Sequence, residues 1–285
     1  MILVTGSEGF IGTHVCWKLM DQNLRFIRYD LQLGQDIRDK FQLSKVFETH
    51  RIETIIHLAA EPGSRIGEKY PASFISSNIL GTNYVLDLAE EYGIKHAIVF
   101  SSSSVFGDIK PPCDELTLIN PVSLYGITKV ATEMLCAKSR VNTTVIRPFS
   151  VYGEKGRGDQ VISIWLDCVR NNRPIPFFGD GTSKRGYVYV GDLVNGVEKI
   201  LTRGPSRSGY EIFNLGGQEI VTLQRLLNIF SSVHPDLEIN ALPLPCADPY
   251  ENWANISKAK RDLKWEPKTN FEEKVRELIL VKDLS

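Results

Sequence analysis

Several features are scarce in this chain, and each scarcity excludes a class of protein. Only five of the 285 residues are cysteines, and none has the Cys-x-x-Cys spacing of a zinc site or a redox motif. The five histidines form no cluster with metal-ligand spacing either. We therefore expect free thiols in a reducing compartment and no bound metal.

Charge of one sign and long apolar runs are also lacking. The formal net charge is −1, which leaves no basic surface for nucleic acid. No apolar run approaches the roughly 20 residues needed to span a bilayer. Met1 leads directly into an apolar strand, without a signal segment before it. We expect a soluble, cytoplasmic protein that binds neither nucleic acid nor membranes.

The first twenty residues of the chain carry a recognisable pattern. Residues 1–5 form an apolar run, Gly6, Gly9 and Gly12 follow, and residues 14–20 have the pattern of a helix. This is the strand, glycine turn and helix of a dinucleotide-binding βαβ unit. In such a unit the glycines let the backbone approach a pyrophosphate, which rests on the helix N-terminus.

An acidic residue then indicates which dinucleotide is bound. The second apolar run, residues 26–29, ends in Asp30. A carboxylate at this strand end can bind the adenosine ribose hydroxyls and repels a 2′-phosphate, so NAD is predicted rather than NADP. Arg28 lies close by and leaves NADP as the alternative.

Strands and helices alternate through the first half of the chain, which predicts a doubly wound parallel sheet. Further strands are predicted at 54–60, 97–100 and 144–147, with a long helix at 72–92. The predicted fold class is α/β, a Rossmann sheet with a smaller mixed α/β C-terminal substrate lobe. We expect 1–153 to form the NAD-binding domain, with 186–213 returning to it, and 154–185 with 214–285 to form the lobe.

Ligands of open parallel sheets bind beyond the carboxyl ends of the strands. Five residues fall at such ends and are expected to converge on one crevice. They are Gly6, Asp30, Ala59, Ser101 and Arg147.

A candidate base lies beyond this serine in the chain. Tyr125 and Lys129 are one helical turn apart and would share a helix face. An ammonium close to a phenol favours the phenolate, whose ordinary pKa is about 10. Such a pair can take a proton from an alcohol near neutral pH. Taken alone, the same spacing also fits an ordinary surface helix.

Together these features resemble the extended short-chain dehydrogenase/reductase family, and within it the nucleotide-sugar 4-epimerases. The similarity covers nearly the whole chain. Its motifs, in order, are Gly6-x-x-Gly9-x-x-Gly12, Asp30, Asp36-Ile37, His57-Leu58-Ala59-Ala60, Asn78 with Gly81-Thr82, the serine segment 101–107, Tyr125-x-x-x-Lys129, the segment 147–153, Gly179-Asp180-Gly181 leading to Arg185, Asn214-Leu215-Gly216 and the segment 256–259.

The resemblance implies an NAD cofactor and a set of residues that bind it. These are Gly6, Gly9, Phe10, Ile11, Gly12, Asp30, Asp36, Ile37, Leu58, Ala59, Ala60, Asn78, Ser101, Tyr125, Lys129 and Pro148. It further implies a nucleotide-sugar substrate, with a UDP-sugar favoured, in contact with Ser103, Ser104, Ser150, Arg157, Arg185 and Asp248.

The implied catalytic residues are Ser102, Tyr125 and Lys129. Tyr125 would take the proton of the sugar 4-hydroxyl while C4 passes hydride to NAD, and the 4-keto sugar would turn before the hydride returns. Ser102 would hydrogen-bond the reacting oxygen. Ser103 and Ser104 stand where dehydratases carry an Asp-Glu pair, so dehydration is not expected.

The sugar stays open at this point. The resemblance implies first a UDP-hexose such as UDP-glucose or UDP-galactose, with or without an N-acetyl group. The segment 156–159 resembles the corresponding segment of UDP-glucuronate 4-epimerases. With such a substrate, Ser103 and Ser104 would hold the sugar carboxylate. Further alternatives are a nucleotide-sugar oxidoreductase and a non-catalytic NAD-binding regulator. A homodimer through helices near 72–92 and 122–139 is also implied.

Overall fold

The predicted alternation produces a parallel sheet in the computed structural model, which describes residues 1–243 and 249–281. The strands, numbered along the chain, are β1 Ile2–Thr5, β2 Phe26–Tyr29, β3 Thr54–His57, β4 His96–Phe100, β5 Thr143–Pro148, β6 Val151–Tyr152, β7 Ile175–Phe178, β8 Lys184–Gly186, β9 Val188–Tyr189, β10 Tyr210–Leu215, β11 Ile220–Thr222, β12 Ile239–Leu242 and β13 Glu251–Asn252. The six-stranded main sheet has the order β2-β1-β3-β4-β5-β10, with every pair parallel. The Rossmann prediction is confirmed.

Helices connect these strands and cover both faces of the sheet. They are α1 Phe10–Asp21, α2 Lys40–Thr49, α3 Ser64–Lys69, α4 Pro71–Phe74, α5 Thr82–Glu91, α6 Leu124–Lys138, α7 Val161–Arg170, α8 Val190–Arg203, α9 Leu223–Val233, α10 Ser257–Leu263 and α11 Phe271–Leu280. In the described ranges, these helices are all too short or too polar to cross a membrane.

The strands of the main sheet read as apolar runs because both of their faces are buried. Successive side chains point to opposite faces. In β1, Leu3 joins a core with α2 and α5, whereas Ile2 and Val4 join a core with α1 and α8. A third core lies between α7, α9 and α11 around the fully buried Trp165, and it forms the interior of the C-terminal part.

The predicted helix at 72–92 is present, but its middle is not α-helical. Between α4 and α5 the segment Ile75–Gly81 forms a π-helix. Asn78 lies in this wider turn, and its backbone carbonyl accepts hydrogen bonds from the hydroxyls of Thr82, at 2.7 Å, and Thr132, at 3.1 Å. Side-chain hydroxyls thus satisfy a carbonyl that regular helix bonding leaves available.

Two later parts of the chain lie against the main sheet. β10 is its outermost strand beside β5, and α8 packs against α1. The segment from Ile256 to Trp265, expected in the substrate lobe, packs into the core beneath β10 and α8. The predicted domain boundaries stay predictions.

Candidate active site

A cavity of about 900 Å³ opens at the carboxyl ends of the main-sheet strands. It begins where the chain order reverses between β1 and β3, which is the usual ligand position in such sheets. The predicted site residues that line it are Gly6, Gly9, Phe10, Ile11, Gly12, Asp30, Asp36, Ile37, Leu58, Ala59, Ala60, Ser101, Ser102, Ser103, Ser104, Tyr125, Lys129, Pro148, Ser150, Arg157 and Arg185. Asp248 lies outside the described residues.

The glycine turn forms a cradle that no larger residue could form. Gly6 has a φ of +72°, and a Cβ on it would lie 2.6 Å from the Ala59 nitrogen. A Cβ on Gly12 would lie 1.9 Å from the Gly6 carbonyl oxygen. The first turn of α1 therefore packs directly on the end of β1, and the residues of this turn line the cavity where a pyrophosphate would rest. The cradle fits the predicted NAD.

Asp30 is held at the end of β2 as expected for a ribose ligand. It is 8% exposed. One carboxylate oxygen accepts the Glu8 amide and the other accepts the Gln32 amide, each at 2.9 Å. Farther along, Asp36 binds the Arg38 guanidinium, whose hydrogen bonds hold the pKa of that carboxyl below its usual range.

Asn78 and Arg147 do not reach the cavity, contrary to what the sequence suggested for both. Asn78 is fully buried; its side chain accepts the Glu61 amide at 2.7 Å and donates to the Thr128 hydroxyl at 3.0 Å. Its polar groups are satisfied inside the protein, so it supports the cavity wall. Arg147, predicted in the crevice, is 1% exposed and points into the core.

Arg147 is part of a buried charge network behind the candidate catalytic residues. Its Nε and Nη2 bind both oxygens of Glu133, at 2.8 and 2.7 Å. Glu133 also accepts the Ser101 hydroxyl at 2.5 Å. These residues come from β5, α6 and the end of β4, so the network ties together the three segments that carry Pro148, Lys129 and the serines.

The helix that carries the candidate base lies unusually close to the serine segment. A Cβ on Gly126 would lie 2.5 Å from the Ser104 carbonyl oxygen. This contact brings Tyr125 into hydrogen-bonding reach of Ser102. The Ser102 hydroxyl accepts the Ser104 amide at 3.1 Å and so also starts the short 3₁₀ turn Ser103–Val105.

The pKa of Tyr125 is raised, not lowered as the Tyr-Lys spacing suggested. Burial is the main cause, and the positive charge of Arg157 and the hydrogen bond with Ser102 oppose it. The Lys129 Nζ lies 5.8 Å from the Tyr125 ring centroid and donates to the Phe100 carbonyl at 2.8 Å. Arg157 is therefore a cation that favours the phenolate in this arrangement.

Lys129 is almost completely buried, at 5% exposure. Burial, with a smaller contribution from the charge of Arg157, lowers the pKa of its ammonium to about 8, and Glu133 opposes the shift. An ammonium with this pKa changes charge near neutral pH, which suits a group that works beside a proton-transferring phenol.

The serines and Asn252 shape the end of the cavity next to Tyr125. Asn252, on β13, donates to the Ser103 hydroxyl at 3.0 Å. The Ser102 hydroxyl donates to the Ser104 hydroxyl at 3.1 Å. Hydroxyl and amide groups, with no carboxylate directly after Ser102, face the position of a reacting sugar.

Two arginines predicted to bind substrate have partners of their own. Arg157 binds both oxygens of Asp159, at 2.9 and 2.7 Å. Arg185 donates to the backbone carbonyls of Lys184, Pro249 and Tyr250. Both side chains still line the cavity, so each is placed to meet an anionic ligand.

Sequence reasoning missed several residues of the site. Glu133 could have been found, since it lies one helical turn after Lys129. Gln160 gave no signal: it lines the cavity, and its buried Oε1 has no hydrogen-bond partner. Arg65 on α3 was also missed; it donates to the Asp159 carbonyl at 3.2 Å across the cleft. Contacts between loops far apart in the chain leave no local pattern.

Comparison with known proteins places this site in a family. The model of the NAD dependent epimerase/dehydratase family matches residues 2–216. The chain belongs to that family. The membership confirms the resemblance inferred from the motifs, the enzymatic character of the protein and its NAD cofactor.

Two groups of relatives are similar over nearly the full length. The chain is 32% identical to a UDP-glucuronate 4-epimerase of Thermodesulfobacterium geofontis, covering 97% of this chain and 94% of that protein. It matches the structure of a Thermotoga maritima UDP-glucose 4-epimerase with UDP-glucose at a TM-score of 0.91 and 30% identity, covering 98% and 97% of the two chains. A Bacillus cereus UDP-glucuronic acid 4-epimerase with UDP-glucuronic acid and NAD gives 0.88 at 27% identity, covering 98% of each.

The predicted homodimer stays a prediction. Of the apolar residues on the two helices expected to form it, Leu80 is 43% exposed, and Tyr84 and Val130 are half-buried.

Proposed function

We propose that this epimerase interconverts the C4 epimers of a UDP-sugar, and that its substrate pair is UDP-glucuronate and UDP-galacturonate. Arg157 carries the choice of a uronate. Its guanidinium lines the cavity and is close enough to Tyr125 to act on the charge of the phenol. Because C5 of the sugar is bonded to the reacting C4, a cation near Tyr125 is well placed for a carboxylate on C5.

The remaining residues support C4 chemistry. When bound, NAD supplies the acceptor and donor of hydride. Tyr125 takes the proton of the 4-hydroxyl and later returns it, while Ser102 hydrogen-bonds the same oxygen. The charge of Arg157 favours the phenolate, and the Lys129 Nζ lies 5.8 Å from the Tyr125 ring centroid.

Epimerisation is favoured over dehydration by the two serines directly after Ser102. Elimination of water from the sugar needs an acid and a base near C5 and C6. Dehydratases carry an Asp-Glu pair directly after the catalytic hydroxyl residue. This chain has Ser103 and Ser104 at those two positions, and neither hydroxyl titrates in the physiological range. Ser103 is also engaged by Asn252. Hydroxyls of this kind instead suit a carboxylate or hydroxymethyl group as hydrogen-bond donors.

UDP-glucose and UDP-galactose are the second candidate pair, and Asp159 favours them. Because Asp159 binds Arg157 through two hydrogen bonds, the guanidinium charge is already balanced. A neutral hydroxymethyl group would leave that pair intact. A uronate would share or replace Asp159 on the guanidinium.

A substrate panel distinguishes these candidates. The enzyme is incubated separately with UDP-glucuronate, UDP-glucose and UDP-N-acetylglucosamine, and C4 inversion is monitored by NMR. We expect the highest kcat/KM with UDP-glucuronate. Inversion of UDP-glucose alone would refute the uronate substrate. If none of these sugars is inverted, the proposed epimerase activity is refuted. A stoichiometric change in NADH absorbance would instead indicate a net oxidoreductase.

Replacement of Arg157 tests its assigned role. Loss of a charge-assisted hydrogen bond costs about 1.5–3 kcal/mol, so Arg157→Gln should lower kcat/KM for UDP-glucuronate about 10- to 150-fold more than for UDP-glucose. Arg185→Gln is the matched control. If Arg185 binds the diphosphate, which both substrates share, its loss would lower kcat/KM equally for the two. Equal losses in the Arg157→Gln variant would contradict recognition of a carboxylate.

Replacement of Tyr125 tests the proton transfer. Tyr125→Phe removes the phenolic oxygen and keeps the ring against Phe74, 6.2 Å away between centroids. We expect turnover to fall at least about 10²-fold, the lower end for loss of a positioned acid/base group, with NAD binding preserved. Unchanged turnover would show that another group moves the proton.

A further inference from the structure

A second carboxylate, that of Glu8, lies beside Asp30, which lines the cavity at its expected adenosine end. Glu8 belongs to the glycine turn, and its amide donates to Asp30 at 2.9 Å. Its side chain turns toward β2 and accepts the Arg28 Nη1 at 3.0 Å on one oxygen and 3.3 Å on the other. The buried Ser7 donates to the first of these oxygens at 3.1 Å. The Glu8 carboxylate is therefore held in one orientation.

Arg28 is the residue that made NADP an alternative in the sequence. Arg28 and Asp30 are two residues apart at the end of β2, so their side chains leave the strand on the same side. β2 is the outer strand of the main sheet, and the Arg28 side chain is 35% exposed. A guanidinium in this place would bind a 2′-phosphate on the adenosine ribose if no carboxylate held it.

We propose that Glu8 is a second determinant of the preference for NAD over NADP, acting by holding the Arg28 guanidinium. Asp30 repels a 2′-phosphate directly. Glu8 instead neutralises the cation that would attract the phosphate. With Glu8 and Asp30 against Arg28, the local formal charge is −1.

The other guanidinium of this region is arranged in the same way. Arg38, which lines the cavity, donates to both oxygens of Asp36. Each of these two cations near the adenosine position is thus bound by a nearby carboxylate. Release of Arg38 through Asp36→Asn is the competing route to a 2′-phosphate site, and it can be tested in parallel.

The test measures dinucleotide binding by calorimetry on enzyme freed of copurified cofactor. The probes are NAD, NADP, 5′-AMP and adenosine 2′,5′-bisphosphate, and the last two isolate the 2′-phosphate. We expect Glu8→Gln to raise the affinity for NADP relative to NAD about tenfold, equivalent to about 1.4 kcal/mol. The same gain should appear with the bisphosphate relative to 5′-AMP.

Two further variants decide whether Arg28 is responsible. In Glu8→Gln/Arg28→Met the gain should disappear, and Arg28→Met alone should leave NADP binding unchanged, because Glu8 already occupies the guanidinium. An affinity for NADP relative to NAD that stays within twofold of wild type in Glu8→Gln would overturn the proposal. So would a gain that persists without Arg28, or one seen only in Asp36→Asn. None of these measurements depends on the sugar, so they stand apart from the test of the substrate.

Discussion

Gly126 is the position at which a single methyl group should most directly disturb the catalytic geometry. A Cβ there would lie 2.5 Å from the Ser104 carbonyl oxygen and 3.0 Å from the Pro121 Cβ. Ordinary van der Waals contact begins at 3.4 Å, so Gly126→Ala requires α6 and the serine segment to separate by about 0.9 Å (3.4 − 2.5). The obstacle is backbone and cannot rotate away.

The separation falls directly on the reacting groups. Tyr125 precedes Gly126 on α6, and Ser102 lies two residues before Ser104. A misplacement of about 1 Å costs on the order of 10²-fold in rate. We therefore expect Gly126→Ala to lower kcat about 30- to 100-fold, with little change in KM and with NAD retained, because the glycine cradle is untouched.

Stability alone cannot report this effect. Alanine in a helix interior is favoured over glycine by about 1 kcal/mol, whereas overpacking costs about 1–3 kcal/mol, so the two contributions partly cancel. The assay is steady-state epimerisation together with the stoichiometry of bound NAD. Ala137→Gly, at an exposed position of α6, makes the reverse change without a contact and should keep full activity. Activity of Gly126→Ala within threefold of wild type would refute the link between helix approach and catalysis.

Two further predictions concern stability. Glu133→Gln leaves the buried Arg147 uncompensated and should cost about 3–5 kcal/mol in urea unfolding, whereas Glu272→Gln, in an exposed pair with Arg276, should change little. Burial lowers the pKa of His57 to about 3 and of His96 to about 4. Since both pKa values lie below the unfolded value of 6.5, stability should fall as pH drops from 6.5 toward 4, by up to about 1.4 kcal/mol per pH unit for each histidine. A free energy of unfolding that does not change between pH 6.5 and 4 would contradict the burial of both histidines in the neutral form.

Most elements could be predicted because their signals are local. The strand at Phe26–Tyr29 matches the expected bounds, and the strands predicted at 97–100 and 144–147 lie within β4 and β5. Apolar periodicity and turn residues specify such segments within a few positions of the chain. The π-helical segment Ile75–Gly81 could not be predicted this way. Its wider turn accompanies a bond to Thr132, which belongs to another helix.

The cavity-lining residues could be predicted where they belong to a motif with fixed spacing along the chain. They could not be predicted where the direction of a side chain depends on a partner distant in the sequence. Gly6, Asp30 and Tyr125 line the cavity because motif spacing and strand ends place them there. Arg147, at an equally suitable strand end, turned inward because Glu133 offered a buried carboxylate. A strand end alone does not determine which way its side chain points.

The sequence by itself determined the Rossmann unit and the NAD cofactor, and it indicated Tyr125 and Lys129 as a candidate catalytic pair. These follow from glycine geometry, periodicity and short spacings, all of which are properties of neighbouring residues, whereas Ser102 was indicated by the family resemblance. Only the tertiary structure decided that Arg157 acts on the Tyr125 phenol and that Glu8 holds Arg28. Charges and burial act through space, so their balance exists only once distant segments have been packed together.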